Sequence, residues 1–214
     1  MELTLIQQIA VYALPVIFAI TLHEAAHGYA AKHFGDTTAY MLGRVSLNPL
    51  RHIDPVGTVL VPLVTLALGG ILFGWAKPVP VNFGHLRNPK KDMLWVAAAG
   101  PGANLFMALF WGLVMKIGLT MPEGSLALPM ALMGKAGITI NTVLMVLNLL
   151  PLPPLDGGRI AVSLLPSRLA YSYARIEPYG MIILIALLFS GVLNFVLWPL
   201  VNGTMGLVSS LFGL

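Results

Sequence analysis

Residues 3–31 contain no Lys, Arg or Asp and a single Glu. An apolar run of that length leaves the backbone few options. Within a bilayer every N–H and C=O must be satisfied internally, which only a helix or a closed barrel achieves. At 1.5 Å per residue the run is longer than the roughly 30 Å hydrocarbon core, so it predicts one tilted or bent crossing, with Pro15 as the bend. Similar runs occupy residues 93–115 and 126–150, and residues 179–214 hold one crossing plus a partial return, broken by Pro199, Asn202 and several glycines. Only 9% of the residues are charged, against about 25% in a soluble domain. The mean hydropathy is +0.86. The 214 residues therefore predict a single domain, 1–214. It is expected to be an all-α polytopic membrane protein of about five to six membrane helices or segments, with short interfacial β-strands or hairpins.

The segments between these runs carry the charge. Residues 38–54, TAYMLGRVSLNPLRHID, alternate apolar and polar side chains, which predicts a short strand or hairpin at the interface. Residues 55–75 are apolar but broken by Pro62 and the Gly69-Gly70 pair. Both flanks are basic, with Arg44 and Arg51 before and Lys77, Arg87, Lys90 and Lys91 after. Lys and Arg gather in cytoplasmic loops, so this segment is expected to turn back as a re-entrant hairpin rather than span. KPVPVN, residues 77–82, has prolines two apart and predicts an extended or edge-strand segment. A short helix is expected over 157–166, and Arg168 and Arg175 mark a further cytoplasmic loop. His52 and His85 fall in basic loops and are read as interfacial. The same pattern places the N-terminus outside the cell membrane and the end of the first helix near the cytoplasm. A net charge of +4 is too weak here to imply nucleic acid, and Glu2 without an early Lys or Arg argues against a cleaved signal peptide.

The first crossing ends in TLHEAAHGYAAKHFGD, residues 21–36. His23 and His27 are four apart and so lie one above the other on one helix face, where both imidazoles reach one ion. Glu24 is displaced by about 100° from His23, close enough to touch a water at that ion. In this H-E-x-x-H arrangement the histidines bind Zn²⁺ and the glutamate is a general base. Three ionisable groups in an apolar helix cost about 2.5 kcal/mol or more each unless paired or hydrated, and a metal with an enclosed water supplies the pairing. With no cysteine in the chain, any metal must be held by His, Asp or Glu.

Catalytic zinc sites usually have three protein ligands plus a water. Asp156 is the leading candidate for the third. It follows a proline-broken stretch, NLLPLPPLDGGR, whose irregular backbone is tolerated at membrane depth where it lines a wet cavity. It also fits the N-cap of the helix that follows, a role compatible with ligation. Asp54 in HIDP is the competing ligand. Asn104, after the Gly-Pro-Gly sequence, is read either as a cavity residue that contacts substrate or as a packing residue.

HEAAH, AGPGAN and NLLPLPPLDGG, in that order, resemble the site-2 protease family of intramembrane zinc metalloproteases, with GRVSLNPLRHIDPVGT and FGWAKPVPVN similar to its short bacterial type. The resemblance covers nearly the whole chain. It implies one zinc per chain held by His23, His27 and Asp156, with Glu24 as the base. It further implies that Asn148 helps hold substrate, hydrogen bonding to a neighbouring helix being its other reading, and that the substrates are transmembrane segments of other membrane proteins. At this length no PDZ or CBS domain is expected beside the membrane segments. Two other readings use the same histidines: a membrane zinc transporter or sensor, and a proteolytically inactive scaffold. A transporter needs an acid-lined path, and a scaffold has no need of Glu24.

Overall fold

The computed structural model describes residues 4–60, 76–122, 124 and 126–214. Among these, the regular secondary structure is all helical. Helix α1 spans Leu5–His33, α2 is the single turn Thr38–Met41, α3 spans Pro89–Thr120 and α4 spans Ala127–Leu149. Three shorter helices follow, α5 (Asp156–Leu164), α6 (Ser167–Ala174) and α7 (Glu177–Phe189), and α8 closes the chain at Val192–Phe212. Helices α1, α3, α4 and α8 are long and apolar enough to cross a membrane. The α6–α7 pair, bent by 63°, makes a fifth span if taken as one unit.

Local chemistry explains the ends of α1. The Gln7 N–H donates to Thr4 Oγ1 and the Thr4 N–H donates to Gln7 Oε1, so two otherwise orphaned donors are satisfied. Lys32 and His33 stand in the last turn, where positive charge favours the carbonyl end of the helix dipole. Pro15 lies inside the helix, as expected. Proline at the first turn starts α3, and Pro101 sits within it.

Helices α3 and α4 are joined by a short connection and pack along their length, with α1 against both. One buried cluster, Met107, Trp111, Ile138 and Val208, joins α3, α4 and α8. A second, Met145, Val146, Leu184, Leu193, Leu197 and Val201, joins α4, α7 and α8. A third, Ala31, Leu86 and Val96, ties the end of α1 to α3 through the intervening loop. Outward faces stay apolar: Ile6, Ile9, Phe106, Phe195 and Leu207 are all exposed. Exposed apolar surface on this scale marks a face that meets lipid.

Several expectations are corrected. Among the described residues no β-strand forms. Residues 38–41 make a helical turn instead. The segment after them is tied by local bonds, Asn48 N–H to Ser46 Oγ (3.1 Å) and Leu50 N–H to Asn48 Oδ1 (3.0 Å), rather than by a ladder. Residues 77–82 are not a strand either, because Pro78 and Pro80 have no N–H to give. The N–H groups of Lys77, Val79 and Asn82 go to His52 O, Glu24 Oε2 and Asp36 Oδ2. Residues 167–174, expected as a loop, form α6. In 179–214 the shorter α7 precedes the full-length α8. Of the expected re-entrant segment, residues 55–60 form a π-helical turn, and 61–75 lie outside the described residues.

Candidate active site

The last third of α1 brings His23, Glu24 and His27 to a cavity of about 750 Å³. Helix α3 contributes Val96 and Ala97, α4 contributes Leu144, Leu147 and Asn148, α5 contributes Asp156 and Arg159, and α7 contributes Met181 and Leu184. The extended strap from Ala76 to Val81 forms the remaining wall, followed by Phe83. The lining is mostly apolar, with polar groups collected around the two histidines.

His23 Nε2 and His27 Nε2 are 3.1 Å apart. Asp156 Oδ2 lies 3.3 Å from each. Four-coordinate zinc with ligand bonds of about 2.0–2.1 Å has ligand atoms about 3.3 Å apart, so this triangle has the size of one face of such a site. The chemistry of the donors fits as well. His27 Nδ1 is 2.7 Å from the Val96 carbonyl, an acceptor only, so Nδ1 carries the proton and Nε2 turns its lone pair to the cavity. Asp156 Oδ2 is buried and accepts no hydrogen bond. Lone pairs converging in a buried space are unfavourable until a cation sits among them. Among the described residues this is the group of His, Asp and Glu side chains that fits a metal.

The sequence around these side chains explains their placement. Asp156 opens α5, and the glycine after it is required by close approach. A Cβ on Gly157 would stand 2.3 Å from the carbonyl oxygens of Leu149 and Leu150, so only glycine lets the proline-rich turn fold back beneath α4. Asp156 does not cap α5 with its side chain. Gly100 on α3 plays the matching part opposite the histidines. A Cβ there would lie 2.3 Å from His27 Nε2 and 2.6 Å from His23 Cε1. Sequence reasoning missed Gly100, although AAAGPGANL carries the signal in its run of small residues.

Glu24 lines the cavity, and its Oε2 accepts the Val79 N–H at 2.7 Å. The strap is itself held at both ends. Arg44 donates to the carbonyls of Lys77 and Pro78, and Asp36 receives the Asn82 N–H at 2.7 Å. Asp36 is fully buried at the end of α1. Burial alone would raise its pKa, but the hydroxyl and N–H of Thr38, the Asn82 N–H and the neighbouring His85 together hold it below the usual carboxylate value.

The remaining candidates fall in different places. Asn148 lines the cavity, and its Nδ2 donates back to Leu144 O at 3.0 Å. Asn104 is not among the cavity-lining residues. It is fully buried behind the His23 ring, with Oδ1 2.6 Å from His23 Nδ1, which departs from the expected substrate contact. Asp54 receives the N–H groups of Val56 and Gly57 and caps the turn at 55–60, so it stands apart from the histidines. His85 is exposed beside Asp36, as its basic loop suggests. His52 is 2% exposed and lies 2.9 Å from Ser46 O through Nε2, so its loop packs it against the protein.

Comparison with known proteins points to the same chemistry. The sequence model described as Peptidase family M50 matches residues 125–191, which include Asn148 and Asp156. The chain is 38% identical over 200 residues to a Bacillus subtilis (strain 168) protein provisionally named zinc metalloprotease YwhC, covering 92% of this chain and 88% of the relative. It is 33% identical over 181 residues to a Mycolicibacterium smegmatis protein provisionally named zinc metalloprotease Rip2, covering 83% of this chain and 66% of the relative. The Rip2 protein of Mycobacterium tuberculosis (strain H37Rv) is 27% identical over 178 residues. No solved structure matches the chain. Identity of this order to YwhC, sustained over nearly the whole chain, makes this multi-pass membrane protein a member of peptidase family M50, the site-2 protease family, and hence a zinc metalloprotease.

Proposed function

We propose that the chain is an intramembrane endopeptidase that cleaves transmembrane segments of other membrane proteins, with one zinc per chain held by His23, His27 and Asp156. The observation that carries this reading is the triangle of Nε2, Nε2 and Oδ2 atoms on the wall of an apolar cavity between spanning helices. Residues 1–214 act as one unit in this reading, because its ligands come from α1 and α5 and its walls from α3, α4 and α7.

When bound, the zinc supplies Lewis-acid activation of a water and polarisation of the scissile carbonyl. Glu24 takes the water's proton and passes it to the leaving nitrogen. The Val79 N–H holds one oxygen of that carboxylate, which fixes the base against the cavity wall. A substrate helix must unwind before its carbonyl is accessible. Asn148 supports that step, since its side-chain amide offers donors and an acceptor to a peptide unit that has left its helix. The extended strap lies along the same cavity and offers backbone beside which an unwound chain can lie. Val16, Ile20, Leu144, Leu147, Met181 and Leu184 suit the apolar side chains of a transmembrane segment. The basic residues around the end of α1 support a reading in which this end of the site faces the cytoplasm and the N-terminus lies outside.

The test compares wild type with Glu24→Gln on a reporter whose only cleavable segment is a transmembrane helix, with zinc measured on the same preparations. The variant is expected to keep its zinc and lose about 10²–10⁴ in turnover. Cleavage at the wild-type rate by Glu24→Gln, or zinc-dependent transport without cleavage by wild type, refutes the reading.

A further inference from the structure

Behind the histidine pair lies a buried polar chain that crosses three helices. His23 Nδ1 is 2.6 Å from Asn104 Oδ1 on α3. Asn104 Nδ2 donates to Ala19 O on α1 at 3.2 Å and to Asn141 Oδ1 on α4 at 3.1 Å. Asn141 Nδ2 donates in turn to Gly137 O at 2.9 Å. Both asparagines have no exposed surface. Neither reaches the cavity.

The direction of every bond in this chain is fixed by its two backbone ends. Gly137 O and Ala19 O only accept. Asn141 must therefore turn its NH₂ to Gly137, which leaves its Oδ1 facing Asn104. Asn104 must turn its NH₂ toward Ala19 O and Asn141 Oδ1, because the reversed amide would set oxygen against oxygen at both contacts. That leaves Asn104 Oδ1 for His23, and an amide oxygen can only accept. The His23 proton is then confined to Nδ1, and its Nε2 lone pair points at Asp156 and His27. Ala19 is one helical turn before His23, so Asn104 grips both the ring and the turn that carries it. An imidazole without such a partner exchanges its proton between nitrogens and rotates about its side-chain bonds.

We propose that Asn104, oriented by Asn141, is a positioning residue that fixes the tautomer and ring orientation of His23 for metal binding. This rests on the reading of His23 as a zinc ligand. Partners of a ligating histidine typically contribute 10- to 100-fold in metal affinity. The second asparagine matters because a lone Asn104 could flip its amide and present NH₂ to the ring.

The experiment uses the full chain in detergent. Zinc dissociation constants come from chelator competition for wild type, Asn104→Ala, Asn141→Ala and His23→Ala. Melting temperatures of the metal-free forms are recorded alongside. Asn104→Ala is expected to weaken zinc binding about 10- to 100-fold and Asn141→Ala by a smaller factor. A purely structural role would lower both melting temperatures and leave the dissociation constants of the folded fraction within twofold of wild type, which overturns the proposal. Nitrogen-15 spectra of histidine-labelled, zinc-loaded wild type provide a readout that needs neither asparagine variant. A proton on Nδ1 of His23 with none on Nε2 supports the proposal, and a proton on Nε2 overturns it even where Asn104→Ala fails to fold. If His23→Ala binds zinc as wild type does, the ligand assignment itself has failed and the proposal falls with it. Loss of zinc in His23→Ala beside unchanged affinity in Asn104→Ala refutes the positioning role alone.

Discussion

A single methyl group is enough to test how tightly the histidines are boxed in. Gly100 faces them from α3 so closely that a Cβ would overlap His27 Nε2 at 2.3 Å. The ring cannot retreat without giving up its contact with the Val96 carbonyl. Gly100→Ala is therefore expected to lower zinc content to a small fraction of wild type while the protein still inserts and folds, checked by metal analysis of the purified variant. Gly102, whose Cβ would meet nothing within 4 Å, is the control, and Gly102→Ala is expected to keep its zinc. At this scale the sequence is informative wherever spacing along one helix decides. That His23 and His27 converge follows from 3.6 residues per turn, and Asp156 reaches them from the proline-broken stretch before it. Asn104 and Gly100 were harder, because which face of α3 meets α1 depends on packing between helices, and α3 is apolar on all sides.

The element that most departs from its sequence pattern is the strap at residues 76–82. Its prolines announced an extended chain, but the pattern does not say what receives the remaining N–H groups. Two of those receivers are side chains on or beside α1, Glu24 and Asp36. Val79→Pro removes the donor to Glu24 while keeping an extended backbone. On the proposed reading of Glu24 as the base, it is expected to reduce turnover by about tenfold or more, since a loosened base forfeits part of the general-base contribution. Zinc content should be unchanged, and Val79→Ala, which keeps the N–H, should stay near wild type in a cleavage assay. Asp36 adds a pH dependence. Its pKa is depressed in the folded state, so the unfolded chain binds more protons near its own value of about 3.9. The stability from this carboxylate is present above that value and is lost as the pH falls through the lower folded value. Hydrogen exchange at the Asn82 amide should accelerate below about pH 4 in wild type, beyond the intrinsic effect of pH. In Asp36→Asn that extra acceleration should be missing, because the group that titrates is gone.

At the scale of the whole molecule, apolar periodicity and length located α1, α3 and α4 closely. They separated α7 from α8 less well, because a continuous apolar tract does not reveal which of its parts is long enough to span. The bilayer side of each loop rests on Lys and Arg. The structure brings the loops flanking residues 55–75 together at the end of α1. The Lys77 N–H donates to His52 O at 2.9 Å, and the Arg87 N–H donates to Phe34 O at 2.9 Å. Single cysteines replacing Arg51 and Arg87 are therefore expected to react alike with an impermeant thiol reagent. Both should be protected in intact cells and labelled in inverted vesicles. The chain's lack of native cysteines makes the labelling unambiguous. Labelling of one site without the other in intact cells would separate the two loops across the membrane.

The glycine-bearing turn that seats Asp156 under α4 has a consequence for how the enzyme comes into being. The histidines and Glu24 enter the membrane with the first helix, but their carboxylate partner belongs to a helix made only after α3 and α4 have been synthesised. Until that turn folds back, the nascent chain carries His23, Glu24 and His27 without the carboxylate that completes the proposed site. On the proposed reading, catalytic competence arrives only once α5 is in place, so the order of the chain itself keeps the site incomplete while the protein is being made.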